Sequence, residues 1–389
     1  MHEFNLLYTA ATILGIFGLL QGICGFLVYV ERKICAYMQD RIGPNRVGPW
    51  GLLQVLADGM KFLFKEDVIP RHVDKFLFIL APCIAVSTAL LSFVVVPFGP
   101  TDLRGSEAYK TGYQFVGAPG LDIGILFIFA VSSLAVYGII LGGWSANNKY
   151  SMLGGLRSSA QIISYEIPLG LSILGVVLMT HSLNLEDIIW GQVSHEGQTR
   201  FWYVFYQPVA FLLFMTSSFA ECNRLPFDLP ECEQELVGGY HTEYNAMKLA
   251  LFFIGEYCHM VTTSFLMVIL FFGGWHLPFI AEADSHWILK LAVMAGKVTA
   301  MILFYMAIRW TLPRFRFDQL MSLAWKVLIP MALLNLVAVM AVMEFHWTLW
   351  LLLPISIVIV FAVAILSASA KPTKAPKRMP VRQTVGSPS

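Results

Sequence analysis

The sequence contains few charged residues for its length. Charged residues make up 13% of the 389 residues and hydrophobic residues 57%, whereas an average soluble domain is about one-quarter charged. A soluble fold of this size would expose much of that apolar sequence to water. The composition therefore excludes an ordinary globular enzyme, a disordered chain and a disulfide-rich secreted module.

The sequence also lacks the motifs that bind metals and nucleotides. Its six cysteines form no Cys-x-x-Cys pair, have neither zinc nor iron–sulfur spacing, and occur at Cys24, Cys35, Cys83, Cys222, Cys232 and Cys258. There is neither a Gly-x-Gly-x-x-Gly motif after a strand nor a P-loop. We therefore predict no bound metal. A redox cofactor would have to lie on another chain or be a diffusible, lipid-soluble molecule.

Long apolar segments take the place of these motifs. A membrane-spanning helix needs about 20 apolar residues, and nine segments are candidates: 6–30, 76–98, 122–145, 158–181, 203–220, 246–274, 287–309, 320–344 and 347–368. The fifth segment is short, and only Phe345 and His346 separate the last two, which predicts a tight hairpin. Lipid cannot satisfy an open sheet edge. The predicted fold is therefore all-α, a polytopic integral membrane protein.

The basic residues are concentrated on one side of the predicted spans. Of the 26 Lys and Arg residues, 20 lie in or beside the odd-numbered loops and the C-terminal tail, and four lie in or beside the other loops. Because inner loops carry the positive excess, we predict an outside N-terminus and a C-terminus in the cytoplasm or mitochondrial matrix. The tail, 371–389, is predicted to be disordered and basic.

Three charged residues lie at similar depth inside the predicted spans. Counted from the inner ends of their spans, Glu166, Glu256 and Lys297 are about 14, 15 and 18 Å deep. Each would cost about 2.5–3.5 kcal/mol unless it is paired or hydrated. His259 and Thr263 follow Glu256 on the same helical face. We favour proton carriers in a hydrated path, and the alternative is a buried Glu–Lys pair that only fixes helix packing.

The first predicted inner loop, 31–75, is long and patterned. It opens with Glu31-Arg32-Lys33, and residues 40–49 contain two Gly, two Pro and two Arg, which indicates a rigid turn. Segment 50–64 is amphipathic, and its polar stripe continues to the next residue through Gln54, Asp58, Lys61 and Lys65. We predict a helix in the membrane interface, either as an anchor only or as a wall of a binding site.

The inner loop at 221–245 is unusually acidic. It carries six carboxylates, at Glu221, Asp228, Glu231, Glu233, Glu235 and Glu243, on the side where basic residues dominate. A solvated acidic face is one explanation. The carboxylates alternate with Pro, Phe and Tyr residues and a Gly pair. We therefore favour a loop that lines a ligand or takes up protons, with Arg224 and Asp228 among its ligand-lining residues.

Several of these segments together resemble one known family. The triplet at 31–33, the turn at 41–45, segment 63–67, loop 221–244 and segment 314–321 are similar to the subunit 1 (H-subunit) family of respiratory complex I, the proton-pumping NADH:quinone oxidoreductase. The similarity runs in order from about residue 6 to residue 344. The resemblance implies that residues 1–344 form the eight-helix core common to this family, and that residues 345–370 form a ninth helix beyond that core.

The resemblance implies a membrane subunit that has no redox centre, catalytic residue or metal of its own. With two peripheral-arm subunits, which carry the quinone site and the terminal iron–sulfur cluster, it would enclose the quinone chamber and provide its entrance from the lipid bilayer. Quinone is the implied substrate, with flavin and iron–sulfur clusters on partner subunits. Small membrane-arm subunits are further implied partners, and nucleic acid is not.

The resemblance also assigns residues. It implies that the chamber is lined by Glu31, Arg32, Arg41, Arg46, Asp58 and Lys61, and that proton coupling uses Glu166, Glu221, Glu231, Glu233, Glu235 and Glu256. We add Lys297 to the coupling residues for its predicted depth. Val55 and Cys222 stand where the family usually has Pro and Thr, and neither is expected to remove function.

Other interpretations stay open. An equivalent subunit of a related membrane-bound hydrogenase or dehydrogenase would share most of these features. A proton-coupled transporter would also need intramembrane charges, but it typically has two related halves, and no internal repeat is evident. A purely structural anchor would leave those charges unexplained. We expect the protein in an energy-transducing membrane, favouring the bacterial inner (plasma) membrane over the mitochondrial one.

Overall fold

The apolar segments form α-helices in the computed structural model, which describes residues 6–99, 116–118, 121–193, 201–228, 237–278, 280 and 285–369. In chain order the α-helices are α1 Leu6–Met38, α2 Gln54–Phe64, α3 Lys75–Ser92, α4 Gly124–Ser145, α5 Lys149–Thr180, α6 Leu185–Trp190, α7 Tyr203–Tyr206, α8 Pro208–Glu221, α9 Ala246–Phe271, α10 Trp287–Thr311, α11 Phe317–Leu323, α12 Ile329–Glu344 and α13 Leu352–Ser369. Shorter helical turns lie at Pro49–Gly51, Gly239–His241, Ala324–Leu328 and Leu349–Leu351.

Seven of the described helices are long and apolar enough to cross a membrane, counting α11 to α12 as one, and two shorter apolar helices accompany them. Each of the nine predicted segments overlaps one of these helices. The all-α polytopic membrane fold is therefore confirmed for the part of the chain that the structure describes.

The two largest differences between predicted and observed helix boundaries are in α1 and α5. Helix α1 continues to Met38, and α5 begins at Lys149 rather than at residue 158. The Asn148 side chain caps α5 by accepting a hydrogen bond from the Tyr150 N–H. A charged residue marks where lipid contact ends, but a helix continues until its backbone is capped. Arg157 therefore lies within α5 and not at its end.

The fifth predicted span is broken into two helices. Helix α7 ends at Tyr206 and α8 begins at Pro208, which lacks a backbone N–H and fits the first position of a helix. Gln207, between them, is fully buried and donates a hydrogen bond to the Gly175 carbonyl of α5. This side chain therefore holds the break against the neighbouring helix.

The hairpin predicted between the last two spans is present. Helix α12 ends at Glu344, His346 adopts a left-handed conformation, and the Trp347 N–H donates to the Val342 carbonyl. Leu352 of α13 packs against Val342 in a small buried cluster. The final helix therefore folds back along α12.

Small residues allow close backbone contact beside the acidic loop. A Cβ atom added at Gly154 of α5 would lie 2.7 Å from the Cα of Gly239. The Gly239–His241 turn therefore packs directly on α5. The same turn contains Tyr240, which is 1% exposed and faces α9. This packing places the end of the acidic loop between α5 and α9.

Candidate functional site

A large cavity lies between α1, α2, α9 and α10. Its volume is about 920 Å³, in the range of pockets that bind small organic molecules. Most of its wall is apolar, including Val28, Val55, Phe62, Ala250, Phe253 and Ile254. Its charged side chains are Glu31, Arg32, Arg41, Asp58 and Arg309. The cavity can therefore accommodate a molecule with a long apolar part and a polar end.

A buried ion cluster closes the charged part of this cavity. The Glu31 carboxylate on α1 accepts two hydrogen bonds from Arg224 Nη1, at 2.9 and 3.0 Å. It also accepts from Arg309 Nη1 on α10 and from the Tyr257 hydroxyl on α9, the latter at 2.7 Å. Glu31 is only 4% exposed. One carboxylate therefore joins three helices and the loop after α8; these four residues are the Glu31 cluster.

The charges of the Glu31 cluster depend on one another. Burial by itself lowers the pKa of Arg224, but the neighbouring Glu31 carboxylate reverses this effect and holds that pKa above its usual value. The guanidinium also stacks 4.3 Å from the centre of the Tyr257 ring. Removal of one member of a buried ion pair leaves its partner uncompensated, which is costly.

Polar contacts hold α2 against α1. Asp58 accepts a hydrogen bond from Arg32 Nη1 at 2.5 Å and another from Gln54 Nε2 at 3.1 Å. The Tyr29 hydroxyl donates to the Trp50 carbonyl at 2.8 Å. Because Asp58 also faces the cavity, the amphipathic helix predicted in this loop forms one of its walls.

The predicted chamber residues divide into two groups. Glu31, Arg32, Arg41 and Asp58 line the cavity, and Arg224 reaches it through Glu31. Arg46, Lys61 and Asp228 do not line it. The side chains of Arg46 and Lys61 are exposed.

Asp228 takes part in a separate contact. Its Oδ2 atom accepts a hydrogen bond from Arg314 at 3.2 Å. Burial raises the pKa of Asp228, and Arg314 opposes that rise. This residue therefore ties the acidic loop to the segment before α11.

Two small cavities lie beside the Glu31 cluster. They have volumes of about 40 and 10 Å³ and share Ser132, Glu221 and His259. Glu256 also lines the larger one, and its Oε1 atom accepts a hydrogen bond from the Tyr240 hydroxyl at 3.4 Å. About 10–15 Å³ is enough for one water. The larger cavity can therefore hold water between two carboxylates.

Of the other predicted coupling residues, only Glu166 and Lys297 are among the described residues. Glu166 is on α5 and lines neither small cavity, whereas Glu231, Glu233 and Glu235 fall outside the described residues. Sequence reasoning did not select Ser132 and His259 as site residues. His259 had a usable signal, three residues after Glu256, but nothing in the sequence distinguishes Ser132.

The structure contradicts the prediction that Glu256 and Lys297 lie at a similar depth. Glu256 adjoins Tyr257, which binds Glu31, whereas Lys297 Nζ donates to the carbonyls of Phe272, Gly274 and His276. Fifteen residues, about 22 Å of helix, separate Tyr257 from Phe272. A residue count from a loop cannot give the depth in a helix that is longer than its span requires.

The side chain of Lys297, which is on α10, instead reaches the C-terminal end of α9. Its three hydrogen bonds are 2.5–3.0 Å long, and its ammonium lies 4.4 Å from the centre of the Trp202 ring. Phe272 is the C-cap residue of α9, and Gly274 and His276 lie in the segment that follows. The C-terminal end of a helix carries partial negative charge. The geometry of Lys297 is therefore that of a helix cap and not of a partner for Glu166 or Glu256.

No group of three or more metal-binding side chains is assembled within the part of the chain that the structure describes. The fold and cavities thus define a polytopic α-helical membrane protein that has an apolar cavity with a charged end. Two carboxylates, Glu221 and Glu256, line a small cavity beside that end.

Comparison with known proteins identifies the family. A family model described as "NADH dehydrogenase" matches residues 11–340. The NADH-quinone oxidoreductase H subunit 1 of Cytophaga hutchinsonii is 47% identical over 319 residues, which cover 81% of this chain and 90% of the relative. The corresponding H subunit 1 of Geobacter metallireducens is 47% identical, with 84% and 93% covered. The H subunit 2 of Koribacter versatilis is 46% identical, with 86% and 96% covered. The chain belongs to this family of NADH-quinone oxidoreductase membrane subunits.

Replacing Lys297 tests its capping role. We expect Lys297→Met to destabilise the protein by about 2 kcal/mol, because three carbonyls at and just after the end of α9 lose a charged donor. Lys297→Arg should retain most of the stability. Thermal denaturation of the solubilised complex measures both. If Lys297→Met left the melting temperature unchanged but abolished proton translocation, Lys297 would be a proton carrier and not a cap.

Replacing Glu31 tests the ion cluster. Glu31→Gln keeps the shape of the side chain but removes the charge between Arg224 and Arg309. We expect a loss of about 3 kcal/mol in stability and at least a ten-fold fall in quinone reduction. The same substitution at the exposed Glu344 is the matched control. Wild-type melting and turnover in Glu31→Gln would show that the cluster does not hold this site together.

Proposed function

We propose that this chain is the membrane subunit of a proton-translocating NADH:quinone oxidoreductase. It provides the entrance for quinone and part of the quinone chamber, and it couples quinone reduction to proton translocation. The observation that carries the proposal is the 920 Å³ cavity, with apolar walls that end at the Glu31 cluster. Flavin and iron–sulfur clusters belong to partner subunits, among them the peripheral-arm subunits that complete the chamber.

The cavity matches the chemistry of a quinone. A membrane quinone has a long apolar tail and a head group with two carbonyl oxygens. Val28, Phe253 and Ile254 offer apolar surface for a tail. Arg32 and Arg41 at the charged end offer donors for carbonyl oxygens. The reduction step itself takes place where a partner subunit delivers the electrons.

Two pairs of neighbouring residues connect the large cavity with the larger of the two small cavities. Arg224 binds Glu31, and the preceding Asn223 lines the larger of the two small cavities. Tyr257 also binds Glu31, and the preceding Glu256 lines the same small cavity. A change in charge at Glu31 therefore affects its partners Arg224 and Tyr257, and each of these is the chain neighbour of a residue that lines the small cavity. Coulomb interactions over such distances are strong where water is scarce.

The proposed mechanism has three steps. Quinone enters laterally from the bilayer and is reduced near the inner loops. Its new negative charge, or its demand for protons, then perturbs the Glu31 cluster and the carboxylates of loop 221–245. That change passes through Glu256 and Glu221 toward Glu166 and the neighbouring membrane-arm subunits. Glu231, Glu233 and Glu235 stay predicted members of the proton-input loop.

We place the protein in the bacterial inner membrane, with the N-terminus outside and the C-terminus in the cytoplasm. The uneven distribution of Lys and Arg between the two sets of loops supports this orientation. In this orientation the Glu31 cluster lies toward the inner side, because Arg309 ends the predicted seventh span there. The peripheral arm then docks on the surface that contains the charged end of the cavity.

Filling the cavity tests the quinone assignment. Ala250→Phe places a ring among the apolar residues of the wall, and we expect the KM for a short-chain quinone to rise at least five-fold. NADH oxidation by a hydrophilic acceptor that bypasses quinone should not change. Ala300→Phe, at an exposed position on α10, is the matched control. Equal quinone kinetics in both variants would contradict the assignment.

Replacing the carboxylates of the small cavity tests coupling. Glu221→Gln and Glu256→Gln keep hydrogen-bonding ability but cannot release a proton at physiological pH. We expect proton translocation in inverted vesicles to fall at least five-fold in each, with normal subunit content. Glu344→Gln is again the control. Normal translocation in both variants would refute a proton path through this cavity.

A further inference from the structure

Two cysteines that the proposed function does not use lie in contact across a helix interface. The Sγ atoms of Cys24 on α1 and Cys258 on α9 are 3.4 Å apart. The residues are 3% and 0% exposed, and Ala89 completes their buried cluster. They are separated by 234 positions in the chain. Their proximity is therefore a product of the helix packing.

The cysteine pair is at the wall of the large cavity. Cys24 itself lines the cavity, as do its neighbour Gly25 and Tyr257, the residue before Cys258. Glu31 follows Cys24 by seven residues, about 10 Å along the same face of α1. A small oxidant inside the cavity can therefore reach one sulfur of the pair. The pair also joins the two helices that carry Glu31 and Tyr257.

We propose that Cys24 and Cys258 form a dithiol–disulfide couple that restrains this wall of the cavity. In the oxidation, two S–H bonds break and one S–S bond forms. The two electrons and two protons pass to a quinone in the cavity, which becomes the quinol. Another two-electron thiol oxidant that enters the cavity serves equally. The chemistry depends only on an oxidant reaching Cys24, whereas its effect on turnover rests on the proposed function.

The required movement is small. A disulfide has an S–S distance of about 2.05 Å, so the sulfur atoms must approach by about 1.4 Å. The bond would fix α1 against α9 at the cavity wall. Because Glu31 and Tyr257 are carried by these two helices and are hydrogen-bonded to each other, the bond also restricts how the Glu31 cluster rearranges. We expect the oxidised form to turn over quinone more slowly.

The experiment uses the intact complex in native membranes. Membranes are first reduced with dithiothreitol and then treated with diamide or, separately, with a short-chain benzoquinone. Free thiols are blocked with N-ethylmaleimide after denaturation, and linked peptides are identified by mass spectrometry without reduction. The variants Cys24→Ser and Cys258→Ser remove one sulfur each. The control Cys83→Ser removes an exposed cysteine of α3 and leaves the pair intact.

The expected results separate the pair from other thiols of the complex. The wild type and Cys83→Ser should yield the peptide linking Cys24 and Cys258. Their quinone reduction should fall at least three-fold and recover with dithiothreitol. The two pair variants should yield no such peptide and resist this part of the inhibition.

Two results would overturn the proposal. One is full alkylation of both cysteines after treatment with each oxidant. The other applies if Ala250→Phe shows that quinone uses this cavity. In that case, a wild type that yields the linked peptide but reduces quinone at an unchanged rate would overturn the proposal. If Ala250→Phe leaves the quinone kinetics unchanged while the linked peptide still forms, the proposed function fails but the thiol chemistry stands.

Discussion

The buried carboxylate of Glu31 is the interaction on which the site depends. It neutralises two arginines that approach from the loop after α8 and from α10, and it accepts the Tyr257 hydroxyl from α9. A single carboxylate at 4% exposure must be fully compensated. This requirement fixes the relative positions of α1, α9 and α10, and thus the charged end of the cavity between them.

The same cluster lies between two environments with different chemistry. On one side is a large apolar cavity. On the other are two small cavities lined by Glu221 and His259, and Glu256 also lines the larger of them. Tyr257 lines the first cavity and Arg224 reaches it through Glu31, while the residues just before them line the larger of the small cavities. The large apolar cavity and the water-sized cavities can therefore influence each other electrostatically without sharing solvent. Under the function we propose, this arrangement suits a protein that must react to a change in charge without leaking protons.

The sequence predicted the helices and several site residues for identifiable reasons. Apolar length defined the helices, because lipid leaves the backbone no alternative. The polar stripe containing Asp58 predicted α2 from helical periodicity alone. Counting residues failed for Lys297, because depth depends on how long helices are placed against one another. Helical periodicity marked His259 as polar, but it could not show that His259 shares a cavity with Glu221.

The sequence by itself therefore determined the class of protein, the apolar segments and the side on which positive charge accumulates. These properties follow from composition and local order, which the bilayer acts on directly. Only the tertiary structure decided that Glu31 meets Arg224 and Arg309, which are 193 and 278 positions away, or that Cys24 meets Cys258. Such contacts depend on how helices pack, and packing depends on the shape of all side chains at an interface rather than on any one segment.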